Sequence, residues 1–550
     1  MKKFIPLSLI LFIPFVTLLS QDRPVKNVHQ TRSQVMARNG VVATSQPLAS
    51  AAALRVLREG GNAIDAAVTA ATTLSVVEPM MTGAGGDLFA IVWSAEDQQL
   101  YGLNASGYSG SRATLEYFQS KGLDEIPLEG LEPATVPGAV DGWNELLNRF
   151  GTISLGRALQ PAIRYAEEGY AVSPVVAGDW VRGVEKLWKF PTSRETFLID
   201  GNPPAPGDIF RNPNLAETYR TLAKNPDSFY RGEVAKEIAA YVEANGGLFT
   251  LEDLNNYHAE WVDPISTTYR GYEVFELPPN GQGIAALEML NILERFNLSE
   301  YDHNSGEYLH LLVEAKRLAF ADLYHLVADP SYADVPVDRM LSKQYAAQRR
   351  ALIDPDQANP PVESGISWTG DTVYLTTADS EGNMVSLINS IFYLFGSGVV
   401  AGETGIILQN RGALASLNPD HPNSVAPGKR PFHTIIPAMV MKDGQPWLSF
   451  GVMGGPMQPQ GHVQVLCNLI DFGMNIQKAG ESPRFYHDSG QLALESGISA
   501  EANRILLDKG HSLVVVKGKF GGFQGILRDP DTGVYHAGSD PRKDGLAIGF

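Results

Sequence analysis

Two hydroxyl residues, Thr372 and Ser390, flank a turn cluster running from Asp379 to Asn383. The runs on either side, Thr372 to Ala378 and Met384 to Ser390, are β-branched and aliphatic, so the stretch Gly370 to Ser390 reads as strand, turn, strand. With the turn centred on Glu381, Thr372 and Ser390 stand equally far from it and face each other across the hairpin. Cross-strand partners come close enough for their hydroxyls to hydrogen-bond. Threonine is an ordinary strand residue, so the pair gains meaning only from what it could do. A threonine that begins a chain carries its own base, because a free α-amine has a pKa of about 7.7–8.0. A cut between Asp371 and Thr372 would put that amine beside the hydroxyl, and no histidine would be needed. The cut can be self-made: Thr372 Oγ attacks the Asp371 carbonyl, the peptide becomes an ester, and water resolves it. Ser390 is then placed to hold Thr372 by hydrogen bonding. Acyl transfer also needs two donors where the oxyanion develops. Gly454-Gly455, at the entry to a helical run, are the best pair of backbone amides in the chain.

Other catalytic sets are missing. The sequence has no HExxH, no GxSxG elbow and no phosphate loop. The single cysteine, Cys467, sits in the apolar run Val465-Leu466-Cys467 and reads as buried core. The eleven histidines show no ligand spacing: His310 and His325 share a helix face and read as half-buried, and His462 follows Gln460-Gly461. Neither a metal nor a cofactor is expected.

The elements that must position the hairpin are legible in part. Gly40 to Thr44 reads as a strand, Pro47 to Glu59 as an amphipathic helix stopped by Gly60-Gly61, and Asn62 to Asp65 as the cap of an Ala-rich helix reaching about Val77. Gly85-Gly86 follow a helix and precede a strand, Leu88 to Trp93, which is the reverse of the phosphate-loop order and points to close backbone packing. Helices are expected at Gly138 to Arg149, Leu155 to Glu168, Val234 to Asn245 and Glu307 to Ala328, with Thr250 capping another. Tyr269 to Leu277 reads as one strand. Asp354 to Thr369 is polar, contains proline, and reads as exposed and able to move. Beyond the hairpin, short strands are expected at Gly405 to Leu408, Pro437 to Met441 and Trp447 to Gly451, a helix from about Gln458 to Ile470, and strands again from Ser512 to Gly538. Strands and paired helices on both sides of a central hairpin suggest a layered α/β sandwich, and no repeat is visible.

Residues 1–20 read as a secretory signal, Lys2-Lys3 followed by the apolar run Phe4 to Leu19, with no cysteine after it for a lipid anchor. The protein is therefore expected to be exported, periplasmic or secreted, without a stable membrane span. One cysteine excludes internal disulfides. Among 550 residues 44% are hydrophobic, so a large core carries stability, and the formal charge of −18 without a basic cluster argues against nucleic acid as a partner.

Taken together, Gly60 to Ala67, Glu78-Pro79 with Gly85-Gly86, Val136-Pro137-Gly138, Leu251 to Tyr257, Tyr269 to Tyr272, Thr372 to Asn383, Gly396 to Gly405, Lys429-Arg430-Pro431, Pro483-Arg484-Phe485 and Ser539 to Arg542 resemble the γ-glutamyltranspeptidase (glutathione hydrolase) family of N-terminal nucleophile hydrolases. The resemblance implies a four-layer αββα sandwich and a precursor cut into a large subunit, 21–371, and a small subunit, 372–550, that stay associated. It makes Thr372 the nucleophile, Ser390 the hydroxyl that touches it, and Gly454 and Gly455 the oxyanion hole. The expected substrates are small γ-glutamyl or other acyl amides, with water or an amine as acceptor; a homo-oligomer is admissible.

The departures concern the glutamyl pocket. Where family members place a carboxylate-binding Arg this chain reads Leu103-Asn104-Ala105-Ser106-Gly107. Phe392 replaces an expected Asn, Gln409 to Leu414 replace an acidic stretch, and His433-Thr434 replace a Ser pair. Charge-assisted contacts are worth about 1.5–3 kcal/mol each, so these changes remove several kcal/mol of amino-acid recognition. Three readings follow: a γ-glutamyl hydrolase or transpeptidase that uses Arg411 as carboxylate partner, an acylase of the same fold acting on glutaryl or other acyl amides, and a binding protein without catalysis. The retained nucleophile and glycine pair favour the first two.

Overall fold

A computed structural model describes residues 30–359 and 370–550. The signal expected at 1–20, and the part of Asp354 to Thr369 from residue 360 onward, lie outside the described residues.

Two seven-stranded antiparallel sheets lie at the centre. In one, the strands run in the order Leu546–Gly549, Gly40–Thr44, Val373–Asp379, Met384–Ser390, Asp87–Ser94, Gln99–Ala105, Glu260–Val262. The other has the order Val35–Ala37, Tyr535–Ser539, Phe523–Arg528, Gln445–Val452, Ala438–Lys442, Tyr272–Glu276, Ile265–Tyr269. Strand alternation divides the apolar side chains between two faces. Val41, Ala43, Tyr374 and Ile388 join Met439, Met453 and Ile526 in the core between the sheets. Val42, Leu375, Val385 and Leu387 face the other way, onto the helix Ala63–Val77 and its neighbours. Behind the second sheet, the helices Gly283–Leu293, Gly306–Leu326 and Met457–Ile470 close a third core. The result is the four-layer αββα sandwich expected from the sequence.

The hairpin lies in the middle of its sheet. Its register pairs Val373 with Asn389, Tyr374 with Ile388 and Leu375 with Leu387, so Thr372 and Ser390 are the next pair at its open end. Gly86 explains how the chain closes around that end: a Cβ there would fall 2.3 Å from the Ser390 carbonyl oxygen. The close backbone packing read from the glycine-rich turn is therefore present.

Several boundaries differ from the sequence reading. Tyr269 to Leu277 is not one strand: Arg270 and Gly271 adopt φ of 54° and 83° and turn the chain between the strands Ile265–Tyr269 and Tyr272–Glu276, the left-handed pair of a two-residue hairpin loop. Gly405 to Leu408 contributes only an isolated bridge from Ile407 to Val400. The helix expected over Leu155 to Glu168 breaks at Leu159, because Pro161 sits in the first turn of the second piece, Gln160–Glu168. His310 is fully buried rather than half-buried, and His325 is exposed. Cys467 is buried, as expected. Among the described residues no helix is long and apolar enough to cross a membrane.

Asp65 anchors the Ala-rich helix to its surroundings. Its buried carboxylate accepts hydrogen bonds from Asn62 N (2.9 Å), Thr152 N (2.8 Å), Thr152 Oγ1 (2.5 Å) and Ile153 N (3.2 Å). Asp65→Ala strands those donors and should lower the free energy of unfolding by about 3 kcal/mol, measured by urea denaturation, since bonds to charged groups contribute about 1.5–3 kcal/mol each.

Candidate active site

At the open end of the hairpin, Thr372 Oγ1 donates to Ser390 Oγ at 3.2 Å. Ser390 Oγ donates onward to the carbonyl oxygen of Asp371 at 2.9 Å, and accepts from Phe392 N at 2.9 Å. Asp371 N in turn donates to Phe392 O at 2.7 Å. The nucleophile expected from the sequence, its hydroxyl partner and the carbonyl before it thus form one relay. Both hydroxyl residues are buried, Thr372 at 2% and Ser390 at 0% exposure. Attack by Thr372 Oγ on Asp371 would place the developing negative charge on an oxygen that Ser390 already donates to.

Gly454 and Gly455 flank this relay. Both have left-handed backbone, φ of 116° and 57°. A Cβ on Gly455 would meet Gly370 N at 2.7 Å, so the glycine lets the segment before Asp371 pass close by. Their carbonyls accept from Met457 N and Gln458 N, both at 3.1 Å, while neither of their own amides has an acceptor among the described residues. Gln282 fixes the pair: its Nε2 donates to Gly455 O at 2.9 Å and to Thr434 O at 2.5 Å. Two unspent amides beside a hydroxyl nucleophile can receive an oxyanion.

A cavity of about 280 Å³ opens beside Thr372. Gly454, Asp371 and Met453 line it, together with Arg182, Lys186, Lys543, Lys517 and Lys519. Burial pushes the Lys186 ammonium down to about 8, and its Nζ donates to Leu394 O and Gly396 O, both at 2.8 Å. Burial also raises the Asp371 carboxyl, opposed by the charges of Lys543, Arg182 and Lys186.

The remaining sequence candidates form a layer behind the relay and do not line the cavity. Phe392, at φ 77°, presents its ring to Gly370 on one side and lies under the Arg411 guanidinium, 4.5 Å from the ring centre, on the other. Arg411 is fully buried and donates from NH1 to Thr434 Oγ1 at 2.8 Å; its Nε lies 3.9 Å from Asp87 Oδ2, and Nε and NH2 have no hydrogen-bond partner among the described residues. Burial lowers its pKa to about 9, against the pull of Asp87. His433 Nδ1 accepts from Ile435 N at 3.3 Å, which leaves the proton on Nε2 to donate to Asp87 Oδ2 at 2.9 Å. Burial and the neighbouring Arg411 push this imidazole down to about 4, so it is neutral at physiological pH. Ser106 is buried farther along, its hydroxyl donating to Asn104 Oδ1 at 2.7 Å.

Sequence reasoning missed Asp87, Gln282 and the cavity cations. Asp87 accepts from Gly107 N and Gln409 Nε2, each at 2.8 Å, as well as from His433. The available signal was an acidic residue placed directly before a wholly apolar strand. One group of metal-type ligands converges among the described residues, His310, Glu314 and His511, within 4.8 Å. These groups already bond one another and their neighbours. His310 and His511 bond each other at 2.8 Å, and Glu314 pairs with Arg317 at 2.8 Å and accepts from Asn359 at 2.7 Å.

A sequence model described as Gamma-glutamyltranspeptidase matches residues 49–550. The chain is 38% identical to the glutathione hydrolase-like YwrD proenzyme of Bacillus subtilis (strain 168), over 94% of this chain and 99% of that one. It is 36% identical to the acylase ACY 1 proenzyme of Pseudomonas sp. (strain SE83), over 92% and 93%. The crystal structure of cephalosporin acylase from Bacillus halodurans superposes with a TM-score of 0.90 at 45% identity, covering 97% of this chain and 99% of that one.

Asp87 balances the buried guanidinium of Arg411 and orients His433. In Asp87→Asn the amide NH2 must face donors on one side, either His433 Nε2–H or Gly107 N and Gln409 Nε2, and Arg411 loses its counter-charge. The variant should be destabilised by about 3–5 kcal/mol, read from the urea unfolding midpoint and slope.

Proposed function

The chain belongs to the γ-glutamyltranspeptidase family of hydrolases and acylases, and we propose that it cuts itself between Asp371 and Thr372 and then cleaves amides through an acyl-Thr372 ester. The observation that carries this reading is the relay from Thr372 through Ser390 to the Asp371 carbonyl, with the unspent amides of Gly454 and Gly455 alongside. In the first reaction Thr372 Oγ adds to the Asp371 carbonyl carbon. Its proton passes to Ser390, which protonates the former carbonyl oxygen. On collapse that proton moves to Thr372 N as the C–N bond breaks and the carbonyl re-forms, which leaves an ester and a free Thr372 amine; water then hydrolyses the ester to the main-chain carboxylate of Asp371 and the Thr372 hydroxyl. The products are the subunits 21–371 and 372–550 of an exported protein whose signal, 1–20, has been removed.

In the second reaction the Thr372 amine accepts the proton of Oγ as it attacks an amide carbonyl. The Gly454 and Gly455 amides hold the oxyanion, and Gln282 anchors the backbone just after them through the Gly455 carbonyl. The protonated amine leaves, and water, or an amine acceptor, takes the acyl group. With an amine pKa of about 7.7–8.0, kcat/KM should rise as pH climbs through that range.

Two donor classes fit this site: γ-glutamyl amides of the glutathione type, and N-acyl amides lacking the α-amino group, such as glutaryl amides. Phe392, Leu414 and Ser106 favour the second. They stand where the family's charged and amide groups recognise an amino acid, and none of them offers an α-ammonium a counter-charge. Arg411, His433 and Thr434 then serve as the packed support behind the glycine pair.

The purified protein should run as two bands on a denaturing gel, the smaller beginning Thr-Val-Tyr-Leu on N-terminal sequencing. Thr372→Ala should remain one band and be inactive; a single full-length band with activity overturns the reading. Gln282→Leu should process and fold, as judged by circular dichroism. Its kcat should fall about tenfold, less than the 10²–10³ typical of deleting an oxyanion donor, with a smaller change in KM.

A further inference from the structure

In the intact chain Thr372 faces an acyl group that the protein itself supplies, residue Asp371. Asp371 bears a carboxylate on the second carbon beyond its carbonyl, which is the pattern of a succinyl group. That carboxylate lies among cations. Arg182 NH2 stands 4.0 Å from Oδ2, and the charges of Lys543 and Lys186 act on it as well. All three cations line the same cavity as Thr372 and Gly454.

None of the three depends on Asp371 for its position. Arg182 NH1 pairs with Asp179 at 2.7 Å, Lys543 lies 3.7 Å from the same carboxylate, and Lys186 is tied to the Leu394 and Gly396 carbonyls. Of the acidic groups facing them, Asp179 is shared between Arg182 and Lys543, and Glu129 is held by Lys189 at 2.5 Å. Glu78 also acts on Lys543, and Glu185 lines the cavity alongside Lys517 and Lys519. Once Asp371 withdraws, the lining keeps five basic side chains against Glu129 and Glu185.

We propose that Arg182, Lys186 and Lys543 form a carboxylate subsite that Asp371 occupies before the cut and a substrate's acyl chain occupies after it. The enzyme therefore selects amides whose acyl group ends in a carboxylate. Succinyl matches the span of Asp371, and glutaryl and γ-glutamyl are one methylene longer. This inference rests on the acyl-Thr372 reading above. Every step of that reading could hold for donors with no terminal charge, so the two are separable.

The test uses the processed two-subunit protein and the p-nitroanilides of succinate, glutarate, γ-glutamate, butyrate and 4-aminobutyrate. The wild type should favour succinyl or glutaryl over butyryl by at least tenfold in kcat/KM. Arg182→Gln should compress that ratio at least tenfold, mainly through KM; Arg182→Lys should restore much of it, and Arg182→Glu should shift preference towards 4-aminobutyryl. Because the Arg182 variants could also slow self-cleavage, wild-type inhibition provides a second measurement. Glutarate should compete with the donor, more weakly as salt rises, and butyramide should not. Equal turnover of butyryl and glutaryl anilides, or a ratio unmoved by Arg182→Gln, overturns the subsite while leaving acyl-Thr372 intact. If processed wild type turns over no anilide, the acyl-threonine reading fails, and the subsite with it.

Discussion

The register of one hairpin decides whether this protein has a site at all. Thr372 meets Ser390 only because Val373 pairs with Asn389. A slip of a single residue would send every side chain of one strand to the opposite face. The fold holds that register from three directions. At the turn, Asp379 accepts from Glu381 N, Asn383 N, Asn383 Nδ2 and the Ala63 amide at the start of the Ala-rich helix. At the flanks, the hairpin is zipped between the strands Gly40–Thr44 and Asp87–Ser94. Across the sandwich, Thr376 and Ser449 join the two sheets through their hydroxyls at 2.7 Å. The reactive end is thus built from contacts that lie mostly away from it.

What the sequence revealed follows from how local each signal is. The strand Gly40–Thr44 and the capping box of Asn62 and Asp65 are set by adjacent residues, and both were legible. The pairing of Thr372 with Ser390 was legible because a tight hairpin makes register a matter of counting. The Arg270-Gly271 turn was hidden inside a run that is strand-like on both sides. Asp87, Gln282 and the cations around Asp371 were out of reach for a different reason. Each acts on residues separated from it by well over a hundred positions, so their roles exist only in the folded chain. The entry to a helical run marked Gly454 and Gly455 as a pair of amides and the family resemblance assigned them the oxyanion hole; the geometry adds that their amides are unspent and that Gln282 anchors the Gly455 carbonyl.

The layer behind Thr372 is expensive. Phe392 holds a left-handed backbone that costs roughly 1–3 kcal/mol, and Arg411 is buried with two nitrogens lacking hydrogen-bond partners among the described residues. Local rules are broken where the chemistry is sited and kept elsewhere, as expected when function and stability compete for the same residues. The cores on either side of each sheet supply the margin that makes this tolerable.

The two sheets do not respect the boundary between Asp371 and Thr372. Each contains strands from before it and after it, and Gly40–Thr44 is clasped between Leu546–Gly549 and Val373–Asp379. The cut proposed there would change the connectivity of a finished object, and the strand pairing across it opposes separation of the halves. Either half alone would present raw strand edges, the kind of surface that recruits other chains. The topology thus gives the proposed cut a chronology: the strands pair as one thread first, and the new chain end opens inside the completed weave.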